Sequence, residues 1–142
     1  VALDVHPPGW EGDSTAVTIV ESGEIIILAF PLDFGSPAQV FSYRNGKYEA
    51  LPVNGVGGYN EKGQLLTSAF DPATGSVVRV IGASRTVDMP DPFVVAFGSG
   101  FGGFSMTGLN DRHQAVGNGF AIFFNPFRVE QRAVLYDFNP SK

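Results

Sequence analysis

The chain has 142 residues, 44% of them hydrophobic, with 18 Gly, 10 Pro, no Cys and a formal net charge of −5. That length suits one domain with a real core, and the hydrophobic content excludes a disordered chain. The many Gly and Pro residues predict turns rather than helices, and the absence of any cluster of Lys or Arg argues against nucleic acid as a partner.

In chain order, VALDV (1–5) reads as a short strand, and HPPGWEGDS as a loop carrying the only tryptophan, Trp10. A hairpin follows in TAVTIVESGEIIILAF, then a loop with a turn beginning at Asp33, then a second hairpin in QVFSYRNGKYEALPV. Asn45-Gly46 between alternating residues is a strong type I′ turn signal. GVGGYNEKGQLLTSAF and SVVRVIGASRTVDMP repeat the two hairpins around a turn that begins at Asp71. PFVVAF reads as a strand, and it leads into GSGFGG (98–103). FSMTGLNDRHQAVGNGF then repeats the first hairpin, and RAVLYDFNPSK begins the second.

The segments align. Gly23, Gly63 and His113 share one turn position, at intervals of 40 and then 50 residues, and Phe30, Phe70 and Phe120 come seven residues later in each copy. About four short strands per copy suit a propeller blade. The repeats run over 15–53, 55–90 and 104–142, the last completed by strand 1–5, because Ala2, Leu3 and Val5 match Ala50, Leu51 and Val53. The expected fold is therefore a single all-β domain over 1–142, with three four-stranded, propeller-like units. Three blades cannot close a ring, so two chains forming a six-bladed ring is one solution. A β-trefoil is the alternative, and membership of a longer protein is a third.

YRNGKYEALPV, GGYNEKGQLLTSAFDPATG and GLNDRHQAVGNGF resemble the bacterial extracellular repeats of the HAF type, with an Asn-Asp-x-Gly-Gln turn before a strand and a Tyr-x-Asn-Gly hairpin after it. His113 stands where that pattern has Gly, and the first copy has Glu21-Ser22-Gly23 in place of Asn-Asp. The resemblance implies a secreted, extracellular repeat protein and supplies no catalytic residues. An opening on Val rather than Met, in a segment with no basic and apolar leader, suggests a processed or excised chain.

GSGFGG fits G-x-G-x-x-G, but a dinucleotide fingerprint needs a following helix whose N-terminus faces the pyrophosphate, and FSMTGLNDRH has no helical spacing. Its glycines read as loop residues, and Phe93, Phe97, Phe101 and Phe104 as core or contact residues, or else an exposed aromatic platform. Two distant histidines make no metal motif, and no serine shows a histidine partner in sequence. The turns at Asp33 and Asp71 read as Asp capping its own backbone, without the oxygen density of a calcium loop. No catalytic residue, metal or cofactor is expected. No apolar run reaches the roughly 20 residues of a membrane helix.

The reading with most support is non-catalytic binding of a glycan or other extracellular ligand, because recurring loops gain avidity from repetition. Trp10, with Glu11 and Asp13, offers a ring for sugar C–H groups beside carboxylates for hydroxyls. Tyr59 and Asn60, with Asp111 and His113 matching Glu61 and Gly63, complete the expected ligand-binding set. A structural, self-assembling repeat protein that forms a homodimer is the second reading. A polysaccharide-acting enzyme with an acid pair in a cleft is the third.

Overall fold

The computed structural model describes residues 1–138, so the end of the third repeat, 139–142, lies outside the described residues. The protein is all-β apart from one short helix, and every strand pair joins sequence neighbours in antiparallel fashion. It forms two compact units, Val1–Val56 and Gly57–Lys142, divided in the link between the first and second repeats.

The first unit is a four-stranded meander of β1 (Gly12–Ile19), β2 (Ile25–Pro31), β3 (Gln39–Arg44) and β4 (Lys47–Leu51). Ile26 and Ile27 of β2 point to opposite faces and both are buried, which is why EIIILAF is a continuous apolar run rather than an alternating one. The Asn45-Gly46 turn forms as expected, with φ of 51° and 78°.

The second unit holds two sheets. One contains β5 (Gly58–Tyr59), β6 (Leu65–Asp71), β7 (Gly75–Ile81) and β8 (Thr86–Pro90); the other contains β9 (Gly102–Leu109), β10 (Gln114–Phe123) and β11 (Arg128–Asp137) in the order β11-β10-β9. Leu66, Val78, Val80 and Met89 from the first sheet share one core with Ala115, Tyr136 and Phe138. Burying side chains of this size gives roughly 1.5–3 kcal/mol each, so this shared layer is the main force joining the sheets.

Two expectations are corrected. Residues 1–5 form no strand, and the third sheet has three strands among the described residues. Asp4 Oδ1 accepts from His6 N at 2.9 Å, which bends the segment, and Pro7 and Pro8 offer no N–H to a ladder; Val1 and Leu3 are left exposed. PFVVAF is not a strand but helix α1 (Pro92–Phe97). Asp91 caps it by accepting from Phe93 N at 2.7 Å, Pro92 sits where no N–H is needed, and Gly98, at φ 76°, closes it by donating to Val94 O.

The helix lies on β10, whose buried face is Ala115, Gly117, Gly119 and Ala121. A Cβ at Gly119 would sit 2.6 Å from Pro92 O and 3.0 Å from Phe93 Cα, so the close approach depends on glycine there. Phe93 is buried on this face and Phe104 packs against the core, whereas Phe101 is exposed. The four phenylalanines therefore do not form one platform. GSGFGG follows the helix instead of opening one, so no helix N-terminus faces it.

Candidate functional site

The second and third repeats each turn through the same side-chain network. In the second, Asn60 Oδ1 accepts from Lys62 N at 3.2 Å and Gln64 N at 2.9 Å, while Asn60 Nδ2 donates to Gln64 Oε1 at 2.7 Å. In the third, Asn110 Oδ1 accepts from Arg112 N at 2.9 Å and Gln114 N at 3.0 Å, and Asn110 Nδ2 donates to Gln114 Oε1 at 3.0 Å. An asparagine four residues before a glutamine thus folds the turn by standing in for backbone partners. The aligned position between them is left-handed in all three repeats, with φ of 83° at Gly23, 70° at Gly63 and 62° at His113, as the alignment predicts.

The two turns of the second unit are also tied to each other. Asn60 Nδ2 donates to Asn110 O at 3.0 Å, and Asp111 Oδ1 accepts from Glu61 N at 3.0 Å. The turns that carry Asn60 and Asp111, with Tyr59 and His113 as their neighbours in sequence, are therefore brought together. Their roles differ from those expected. Asn60 is 4% exposed with every polar atom engaged, and Asp111 spends an oxygen on the neighbouring turn. Tyr59 is half-buried, with its hydroxyl 3.4 Å from where a Cβ at Gly63 would lie.

His113 alone of the four lines a cavity of about 280 Å³, which also takes in Lys62, Gln64, Ser84 and Arg85 over a floor of Val80, Val87 and Phe138. Asn60 fixes the Gln64 amide with its oxygen turned inward, so Gln64 Nε2 faces His113 Nδ1 at 3.5 Å. Lys62 Nζ faces the other ring nitrogen, Nε2, at 3.4 Å. A neutral imidazole has one acceptor nitrogen, so it cannot receive both donors. The cavity therefore presents exposed donors, from Lys62, Ser84 and Arg85, that its own walls do not engage in full. No carboxylate lines it, and among the described residues neither Lys62 nor Arg85 has an acidic partner.

Lys62, Gln64, Ser84 and Arg85 were not legible as a site. Ser84 and Arg85 come from GASR, the hairpin between β7 and β8, where Gly82 N donates to Arg85 O at 2.8 Å. Nothing in that short loop signals chemistry until the fold sets it beside the paired turns.

In the first unit the expected Trp10 site is otherwise employed. The indole Nε1–H donates to Phe30 O at 3.1 Å, and the ring meets Phe41 edge-on with centroids 5.7 Å apart. Trp10 fastens the N-terminal loop to β2 and β3. Glu11 is exposed, and Asp13 lies at a separate apolar groove beside Phe30, Leu32 and Phe34, so the three residues do not converge on one cavity.

One pair was missed. His6 Nδ1 lies 2.7 Å from Ser14 Oγ, and His6 Nε2 lies 3.1 Å from Trp10 O. A carbonyl only accepts, so Nε2 carries the proton and Nδ1 accepts from the Ser14 hydroxyl. A serine with a histidine partner does exist, then, though eight residues of separation hid it. Both side chains are half-buried and hold the Trp10 loop on β1.

A groove lined by Asp71, Asp88 and Asp91 is the nearest approach to an acid-bearing cleft. Each carboxylate is engaged: Asp71 accepts from Ala73 N and Thr74 N, Asp91 caps α1, and Asp88 takes both Arg79 nitrogens at 2.7 Å. The Arg79 hydrogen bonds hold the Asp88 carboxyl below the usual range, the opposite of what a general acid needs. Asp33 likewise accepts from Gly35 N and Ser36 Oγ, so both Asp turns cap themselves as expected. Among the described residues no group of His, Asp and Glu could hold a metal, and no helix is long and apolar enough to cross a membrane.

No protein-family model, curated protein or solved structure matches the chain.

Proposed function

We propose that this chain is a non-catalytic binding module that takes a sugar residue of an extracellular glycan in the cavity of its second unit. The observation that carries this reading is the meeting of exposed donors with apolar side chains, in a space of about 280 Å³. A pyranose ring needs that combination: hydroxyls that accept from Lys62, Ser84 and Arg85, and a C–H face that rests on Val80, Val87 and Phe138. Extracellular placement belongs to the same proposal and rests on the HAF-type motifs.

Strand pairing supports a blade-like rather than a trefoil-like arrangement of the repeats. Every described ladder stays inside one repeat, whereas a trefoil barrel pairs strands of different repeats. The test of function is a glycan-array screen of the intact protein, repeated with Ser84→Trp and Trp10→Ala. Filling the cavity with the indole at 84 should abolish binding, and truncating Trp10 should leave specificity intact. Binding that survives Ser84→Trp would place the site elsewhere.

A second reading, self-association, is favoured by one observation. Val116, Val129 and Leu135 are exposed on β10 and β11, making an apolar strip on an open sheet face. Light scattering of the wild type and of Leu135→Lys tests it: a dimer that the lysine dissociates supports association through this face, and a monomeric wild type rejects it.

A further inference from the structure

The donors of the cavity say more than that it is polar. Lys62 and Arg85 are two of only nine Lys and Arg residues in an acidic chain, and both line the same small cavity with no carboxylate among its walls. Of the other cations among the described residues, Arg79 pairs with Asp88, and Arg128 and Arg132 with Glu130; Arg44, Lys47 and Arg112 form no ion pair, but Arg44 and Lys47 line a groove that also holds Glu24 and Glu49. Lys62 and Arg85 are both exposed, so water solvates them in the free protein, and with no carboxylate beside them they are open to an anion, next to a histidine that cannot accept from both of its donor neighbours. A bound anion would pair with both charges and accept from the N–H groups around them.

We infer that the ligand of this cavity carries a carboxylate: it is an acidic sugar, a uronate or a sialic acid, held through Lys62, Arg85 and His113. The inference rests on the proposed binding of a glycan and names its chemical class. The guanidinium of Arg85 matches a carboxylate in the plane of its two oxygens, and Lys62, in the turn between β5 and β6, supplies a point charge to the same cavity. His113 presents an N–H to the anion while its other nitrogen accepts from Gln64 or Lys62, which resolves the conflict between its two donor neighbours. The apolar floor leaves the sugar ring its C–H contacts, so the carboxylate adds selectivity to a site that already fits a pyranose. Neutral sugars would gain only hydroxyl hydrogen bonds from Lys62 and Arg85 and leave their charges unpaired.

The test is titration calorimetry of the full chain with oligosaccharides ending in galacturonate, glucuronate, mannuronate or sialate, each compared with its own methyl ester. The ester keeps the ring and hydroxyls and removes only the charge. The expected result is that one acid binds about 10-fold more tightly than its ester, a hydrogen bond to a charged partner being worth about that much. Arg85→Gln should weaken the acid about 10-fold more than it weakens the ester, which loses only a hydroxyl contact. It lies on an exposed hairpin whose closing bond is backbone to backbone, so the fold does not depend on its side chain. Raising the salt concentration should weaken the acid and not the ester. Equal affinity for acid and ester, or equal losses of both in Arg85→Gln, would overturn the inference and leave glycan binding standing. Failure of every sugar, ester and acid alike, would overturn the reading of function itself.

Discussion

The turns at 60–64 and 110–114 share one hydrogen-bond network and differ at one telling position. Gly63 takes the left-handed conformation at no steric cost, whereas His113 takes it at φ 62° with a Cβ and a ring. A non-glycine residue there is disfavoured by roughly 1 kcal/mol or more. The imidazole that causes this cost is the one that enters the cavity, while the glycine of the sister turn leaves room for Tyr59. Identical scaffolding thus separates what the backbone requires from what the site requires.

The largest effect that probes this comparison is at the asparagines. Asn60→Ala should cost about 3 kcal/mol, because it strands buried donors and an acceptor of both turns, whereas Asn110, which is exposed, should cost about 1 kcal/mol. Urea-denaturation midpoints measure both, and equal losses would show that the tie from Asn60 to Asn110 O carries nothing. Next comes the exchange of the differing residues. Gly63→His should destabilise by about 2 kcal/mol, through the left-handed backbone and the crowding of Tyr59. His113→Gly should stabilise by about 1 kcal/mol while weakening ligand binding, a trade of stability against function.

Two pH limbs sharpen the contrast by showing what does not come from the turns. Burial, with a smaller contribution from Asp91, pushes the Tyr136 hydroxyl up to about 12, and Tyr136 donates to Pro90 O. The folded value lies above the unfolded one, so this contribution is whole below about pH 10 and is lost as the pH rises through about 12. Tyr136→Phe should remove that alkaline loss and cost about 1 kcal/mol at neutral pH, read from thermal melts across the range. Smallest is Asp88→Asn, about 0.5 kcal/mol for a half-exposed pair. Because Arg79 depresses the Asp88 carboxyl, its contribution is present above the unfolded value near 4 and fades as the pH falls through the lower folded one.

What the sequence made legible was local and repetitive. The Asn45-Gly46 turn, the self-capping Asp33 and Asp71, and the shared backbone of Gly23, Gly63 and His113 all follow from residue type at a fixed offset. Helix α1 escaped because six residues are too few to show a period, although Asp91-Pro92 before it and Gly98 after it were a start and a stop. Trp10 looked like a free ring because its partner, Phe30 O, lies 20 residues away. The cavity escaped for the same reason: Lys62 and Arg85 become neighbours of His113 only when two sheets share a core, and no spacing within either hairpin records that.

The run of Ala115, Gly117, Gly119 and Ala121 on β10 has a consequence for how this sequence can drift. With Pro92 O only 2.6 Å and Ala96 Cβ 3.1 Å from a would-be Cβ at 119, the strand and the helix above it form one heritable unit. A larger residue at 119 can be tolerated only where the segment 91–98 is shortened or moved away. Positions 96 and 119 should therefore covary in descendants of this chain, and the ten additional residues between the second and third repeats would be gained or lost together with glycine on β10.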